Sequence, residues 1–168
     1  LLPYFLSTQG PRLAVGDVNQ DGLNDFYLCG AKGNSGSLWT QQADGSFSKT
    51  SSGDMEANSE KEEVAALFFD ADGDGDVDLY VVSGGNENEG EALQDQFYLN
   101  QKGLLKATTA LPVMWQSGSC VTAADYDNDG DLDLFVGTRG VPGRYPESAA
   151  SQLLRNLGQG KFELANGL

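Results

Sequence analysis

The sequence has no histidine, two cysteines, few basic residues and no long apolar run. Without histidine or a Cys-x-x-Cys pair, zinc and iron-sulfur centres lack a ligand set. The commonest general acid and base of enzymes is missing as well. No apolar stretch approaches the roughly 20 residues of a membrane helix, so no membrane insertion is expected. Ten Lys and Arg against 25 Asp and Glu leave a formal charge of −15. That charge repels nucleic acid and anionic membranes and attracts cations, which removes nucleic-acid binding from the candidate functions. The opening Leu1-Leu2-Pro3-Tyr4-Phe5-Leu6 lacks the basic residues, longer apolar stretch and small-residue cleavage site of a signal peptide, so no signal is expected in this chain. Cys29 and Cys120 sit at different places in non-consecutive repeats and read as two buried free thiols.

What the chain does have is acid in phase. Three nine-residue loops read Asp17-Val18-Asn19-Gln20-Asp21-Gly22-Leu23-Asn24-Asp25, Asp70-Ala71-Asp72-Gly73-Asp74-Gly75-Asp76-Val77-Asp78 and Asp125-Tyr126-Asp127-Asn128-Asp129-Gly130-Asp131-Leu132-Asp133. Their starts lie 53 and then 55 residues apart. A solvated acidic face would space its charges irregularly and favour Glu, whereas these runs are all Asp and tightly phased.

Each loop is flanked by short apolar stretches of strand character: Leu13–Gly16 and Phe26–Leu28, Ala66–Phe69 and Leu79–Val82, Val121–Ala124 and Leu134–Val136. A second pair follows in every repeat: Ser37–Gln41 then Ser46–Lys49, Gln96–Asn100 then Leu104–Ala107, and Gln152–Asn156 then Lys161–Leu164. Four short strands per repeat of about 50 residues describe a propeller blade. The expected fold is all-β, with three four-stranded antiparallel blades over about 10–53, 63–110 and 118–166 in one segment spanning 1–168. Residues 1–9 read as an outer strand of a neighbouring blade, and 54–63 as a solvated connector. Three blades do not enclose a channel, so further blades in a parent chain, or a homo-oligomer, are expected to complete the propeller.

Calcium takes six to eight oxygen ligands in a flexible shell. Oxygens at the first, third, fifth and ninth positions of such a loop can converge on one point, with the seventh carbonyl as a further ligand, and glycine at the sixth permits the turn. Three structural Ca²⁺ sites are therefore expected: Asp17, Asn19, Asp21, Leu23 and Asp25; Asp70, Asp72, Asp74, Asp76 and Asp78; Asp125, Asp127, Asp129, Asp131 and Asp133. The neutral Asn19 makes the first site the weakest expected. An EF-hand would place Glu at position twelve, between helices. Leu28, Val81 and Val136 stand there instead, inside strands.

These residues resemble the FG-GAP/VCBS repeats of integrin-α-like β-propellers, whose blades carry an Asp-x-Asp-x-Asp-Gly-x-x-Asp loop between their first two strands. Stretches such as Gln9–Asp17, Asp78–Gly85 and Gln152–Asn156 look most like bacterial relatives of cartilage acidic protein. Asn19 and a blurred Phe-Gly and Gly-Ala-Pro signature, as at Cys29-Gly30-Ala31, depart from the pattern. The resemblance implies an exported, cell-surface or extracellular calcium-binding module for adhesion, ligand capture or scaffolding, with a glycan or protein as partner. The other reading is the propeller domain of an extracellular polysaccharide lyase or hydrolase. It has Glu87, Glu89 and Glu91 for acid-base work but no nucleophile motif, and no catalytic residue is assigned. The long loops 29–37, 84–96 and 137–151 are where binding would lie, and Arg139, Arg144 and Tyr145 of the last suit an acidic sugar or carboxylate, but a solvated loop packed on a neighbouring blade is the favoured reading of those three residues.

Overall fold

The computed structural model describes residues 12–50, 53–144 and 146–165. Residues 1–9, expected as an outer strand, lie outside the described residues, as does Tyr145.

The all-β expectation holds: among the described residues twelve strands form three separate four-stranded antiparallel sheets, each in simple sequence order, and none of these sheets closes on itself. The first blade contains β1 (Leu13–Gly16), β2 (Asp25–Leu28), β3 (Ser37–Gln41) and β4 (Phe47–Lys49). The second contains β5 (Glu62–Phe69), β6 (Asp78–Gly84), β7 (Gln96–Asn100) and β8 (Leu105–Ala107). In the third are β9 (Gly118–Ala124), β10 (Asp133–Thr138), β11 (Gln152–Asn156) and β12 (Phe162–Leu164). The first strands lie side by side, β1 against β5 and β5 against β9, so the blades stack in chain order.

Two cores result, one on each side of the middle sheet. Val18, Tyr27, Leu38 and Met55 pack with Leu79, Val81, Tyr98 and Leu105 between the first and second blades. On the other side Tyr80, Val82 and Phe97 meet Leu134, Val136, Leu154 and Phe162. Alternate residues of β6 thus serve opposite cores, which is why the whole strand is buried and reads as a continuous apolar run. Phe97 and Phe162 meet edge-on at 5.4 Å across the second core. Outer strands such as β4 and β1 keep an exposed side: Leu13 and Val15 are both 56% exposed on the face of the first blade turned away from the second.

Two expectations need correction. The stretch 54–63 is not a solvated connector, because it opens with a helical turn, α1 (Gly53–Glu56), that plants Met55 in the first core at 1% exposure. Asp54 accepts a hydrogen bond from the Ala107 N–H (3.2 Å), and Asn58 donates to the Tyr98 hydroxyl (3.1 Å), so polar contacts flank the apolar plug. Both cysteines are free, but only Cys29 is buried. Cys120 is exposed because it points to the side of β9 that no sheet among the described residues covers.

Candidate metal centre

The three acidic loops join the first two strands of each blade, so the stacking of blades puts them at one end of the molecule. Their backbone follows one plan. The sixth residue is a glycine with positive φ in every loop: Gly22 at 85°, Gly75 at 90° and Gly130 at 99°. Only glycine adopts such angles freely. The fourth residue is also left-handed, as Gln20 at 58°, Gly73 at 77° and Asn128 at 62°, a requirement that the sequence pattern does not announce.

Carboxylates at the odd positions gather the loop's own N–H groups. Asp17, Asp70 and Asp125 each accept from the sixth-position glycine, at 2.8, 3.0 and 3.1 Å. The third residue accepts from the fifth N–H and the fifth from the seventh: Asn19 and Asp21, Asp72 and Asp74, Asp127 and Asp129 all do so through one side-chain oxygen. These are Asx turns. In the five aspartate turns this occupies one carboxylate oxygen and leaves the other for something else, whereas Asn19 has no second oxygen to offer.

The ninth residue is different, being the first residue of the second strand and fully withdrawn from water: Asp25 and Asp78 are 0% and Asp133 1% exposed. Its Oδ2 accepts from the second-position N–H of its own loop: Val18 (3.0 Å), Ala71 (2.9 Å) and Tyr126 (3.1 Å). Its Oδ1 accepts from the last residue of the third strand: Gln41 (2.9 Å), Asn100 (2.7 Å) and Asn156 (2.8 Å). One buried carboxylate therefore ties loop, second strand and third strand together in each blade.

In the second and third blades the same asparagines reach further. Asn100 Nδ2 donates to Val77 O of its own loop (3.0 Å) and to Val18 O of the preceding one (2.8 Å). Asn156 repeats this with Leu132 O (3.1 Å) and Ala71 O (2.8 Å). A continuous hydrogen-bonded belt thus runs Asp25, Val18, Asn100, Asp78, Ala71, Asn156, Asp133 through all three loops.

Among the described residues, first, third and ninth positions converge in two loops. Oxygens of Asp70, Asp72 and Asp78 lie within 4.8 Å of one another, and so do those of Asp125, Asp127 and Asp133. The first loop places Asp17 and Asp25 in the same frame, with the neutral Asn19 between them, and Asn19 Nδ2 donates to Asp21 Oδ2 (3.0 Å). The fifth and seventh side chains stand outside these groups. Burial pushes Asp78 up to about 6, helped by the charges of Asp72 and Asp76, against two N–H donors that pull it down. Burial also raises Asp72 and Asp76, while the Asp76 N–H holds Asp74 below the usual range. Crowded anions in the second loop therefore resist ionising together. Asp125 Oδ1 and Asp76 Oδ1 are out of water and accept no hydrogen bond.

The model of the FG-GAP-like repeat matches residues 17–81 and again 70–136. The chain belongs to the FG-GAP-like repeat family. Each FG-GAP match starts on the first Asp of one acidic loop and ends in the second strand of the next blade, so the unit of sequence straddles two blades. A search of curated proteins finds no match to the chain.

The opposite end carries buried carboxylates that sequence patterns did not single out. Glu63 accepts from the Tyr27 hydroxyl (2.9 Å), the Gly30 N–H (2.8 Å) and Gln96 Nε2 (3.3 Å), and burial pushes its pKa up. Asp95 accepts from the Tyr80 hydroxyl (2.6 Å) and the Ser83 N–H (2.7 Å), and burial pushes it up to about 7. Both anchor the long loops expected to hold a ligand. Of the residues expected to act there, Glu87, Glu89 and Glu91 are exposed, and Arg144 lies 3.7 Å from Glu147. No helix among the described residues is long and apolar enough to cross a membrane.

Proposed function

We propose that the acidic loops bind Ca²⁺ at three structural sites and that the chain is a non-catalytic adhesion, ligand-binding or scaffolding module of an exported protein. One observation carries the metal reading: in two loops the first, third and ninth carboxylates converge within 4.8 Å, and in the third loop Asp125 Oδ1 is buried there with no hydrogen-bond donor. Several carboxylates at that spacing repel, and a hard divalent ion reverses the sign of the interaction. Oxygen-only donors and a flexible loop suit Ca²⁺ better than the strict octahedron of Mg²⁺. Asp17, Asn19, Asp21 and Asp25, with Leu23 O, would hold the first ion; the odd-numbered positions of 70–78 and 125–133 would hold the others.

Extracellular calcium modules bind at roughly 10⁻⁴ to 10⁻³ M, which fits an exported or cell-surface protein. Family membership and the acidic clusters support that location, and the motifs quoted above favour kinship with bacterial relatives of cartilage acidic protein. Loops 29–37, 84–96 and 137–151, at the end away from the metal, are the surface for a glycan or protein ligand. The apolar outer face around Leu13 and Val15 suits another blade, from a parent chain or a second copy.

The test is thermal unfolding in chelator and in ~2 mM CaCl₂. At Kd near ~10⁻⁴ M each filled site stabilises by about 2 kcal/mol, so three sites raise the midpoint by on the order of 10 °C. An unchanged midpoint, or equal stabilisation by Mg²⁺ at the same concentration, rejects the calcium reading. Glycan-array binding with no unsaturated or hydrolysed product supports the module, and turnover overturns it.

A further inference from the structure

The second and third loops carry aspartate at the same five positions, and the third is ion-paired to an arginine of its own blade. Arg155, the fourth residue of β11, lies over its own blade's loop: Nε is 2.8 Å from Asp127 Oδ2, and Nη2 is 3.5 Å from Asp129 Oδ2. The Nε contact is not aligned as a hydrogen bond, so it acts chiefly through charge. Equivalent residues are found by the belt, because each stands just before the residue whose N–H donates to the buried ninth Asp. They are Thr40 in the first blade and Leu99 in the second, neither of them charged.

The geometry points to Arg155 as a resident counter-ion that competes with the metal at the third loop and sets its affinity below that of the second. This rests on the calcium reading above. Asp127 and Asp129 occupy the third and fifth ligand positions, and a guanidinium against them already neutralises part of the charge that would attract an ion. An arriving Ca²⁺ must either displace Arg155 or accept a unit positive charge a few ångströms away. Partial exposure of the pair, at 42% for the Arg155 side chain and 22% for Asp127, screens this competition without abolishing it. The consequence is an ordered division of labour. The second loop fills first and depends most on the ion, while the third keeps its fold at low calcium because Arg155 stands in for part of the missing charge.

Each loop has its own reporter, the amide of its sixth glycine, since Gly22, Gly75 and Gly130 donate to the first Asp of their respective loops. Calcium titration followed at these three amides by NMR therefore gives site-resolved midpoints. In the native chain Gly130 should respond at a higher calcium concentration than Gly75. Arg155→Gln should lower the Gly130 midpoint at least threefold and leave Gly75 in place, while Arg155→Lys, which retains the charge, should stay within about twofold of native. An unmoved or raised Gly130 midpoint in Arg155→Gln, or equal behaviour of the Gln and Lys variants, overturns the role of Arg155 while leaving the metal sites standing. No response at any of the three amides overturns the calcium reading itself, and this inference with it.

Discussion

A single buried carboxylate can set how the molecule responds to pH. Asp95 is held by a hydroxyl and an N–H, yet its burial dominates and pushes its pKa up to about 7. In the unfolded chain it ionises near the ordinary value of about 3.9. Between these values the folded state binds the extra proton, so this contribution to stability is full below about pH 4 and is lost as the pH rises through about 7. Asp95→Asn keeps the shape and the hydrogen-bonding capacity, because the Tyr80 hydroxyl can turn to accept from the new amide. Urea unfolding in chelator should therefore show a smaller fall in stability between pH 5 and 7.5 in Asp95→Asn than in the native chain. A parallel fall in both proteins would remove Asp95 from the account. The sequence does not announce Asp95, because an aspartate three residues after Ala92 in a polar loop looks solvated, and only the fold brings Tyr80 over it.

At the level of the strand and its loop, the acidic repeats were legible because phase and glycine placement are local properties. The elements expected around them are short apolar stretches bounded by the loops, and these form the first two strands of every blade, with β6 apolar throughout because both of its sides face a core. What escaped notice is non-local. Asn100 and Asn156 look like ordinary strand-ending residues, but their amides reach carbonyls in loops 82 and 85 residues earlier in the chain. Met55 sits in a polar stretch of sequence, and only the packing of the first two blades creates the gap that it fills. Removing the Asn100 amide leaves the carbonyls of Val18 and Val77 without that donor in a buried place and frees the Gly103 N–H that Oδ1 holds at 2.7 Å. Each orphaned group costs about 1 to 3 kcal/mol, so Asn100→Ala should lose roughly 2 to 4 kcal/mol in denaturant unfolding. A loss under about 1 kcal/mol would mean that water enters and replaces the amide.

For the molecule as a whole, the charge of −15 is unevenly spread, because thirteen of the 25 acidic residues lie in the three loops at one end. Repulsion there opposes folding and is screened by simple salt as well as by a bound ion. In chelator, raising NaCl from ~0.01 to ~0.5 M shortens the screening length from about 30 Å to a few ångströms, and the unfolding midpoint should rise. In saturating calcium the same salt step should have a much smaller effect. Equal salt responses in both conditions would place the destabilising charge elsewhere on the surface.

The glycines that let the acidic loops turn also decide how the chain ages. Asp21-Gly22, Asp72-Gly73, Asp74-Gly75 and Asp129-Gly130 are bonds of the kind most prone to succinimide formation and isoaspartate damage, because an unhindered glycine nitrogen can attack the preceding side chain. In the folded loops all four of those nitrogens donate to Asp17, Asp70 or Asp125. The same hydrogen bonds that shape the loop therefore keep the attacking atom occupied. Opening a loop exposes its scar-prone bond, so isoaspartate becomes a chemical clock for how long each loop has spent unfolded.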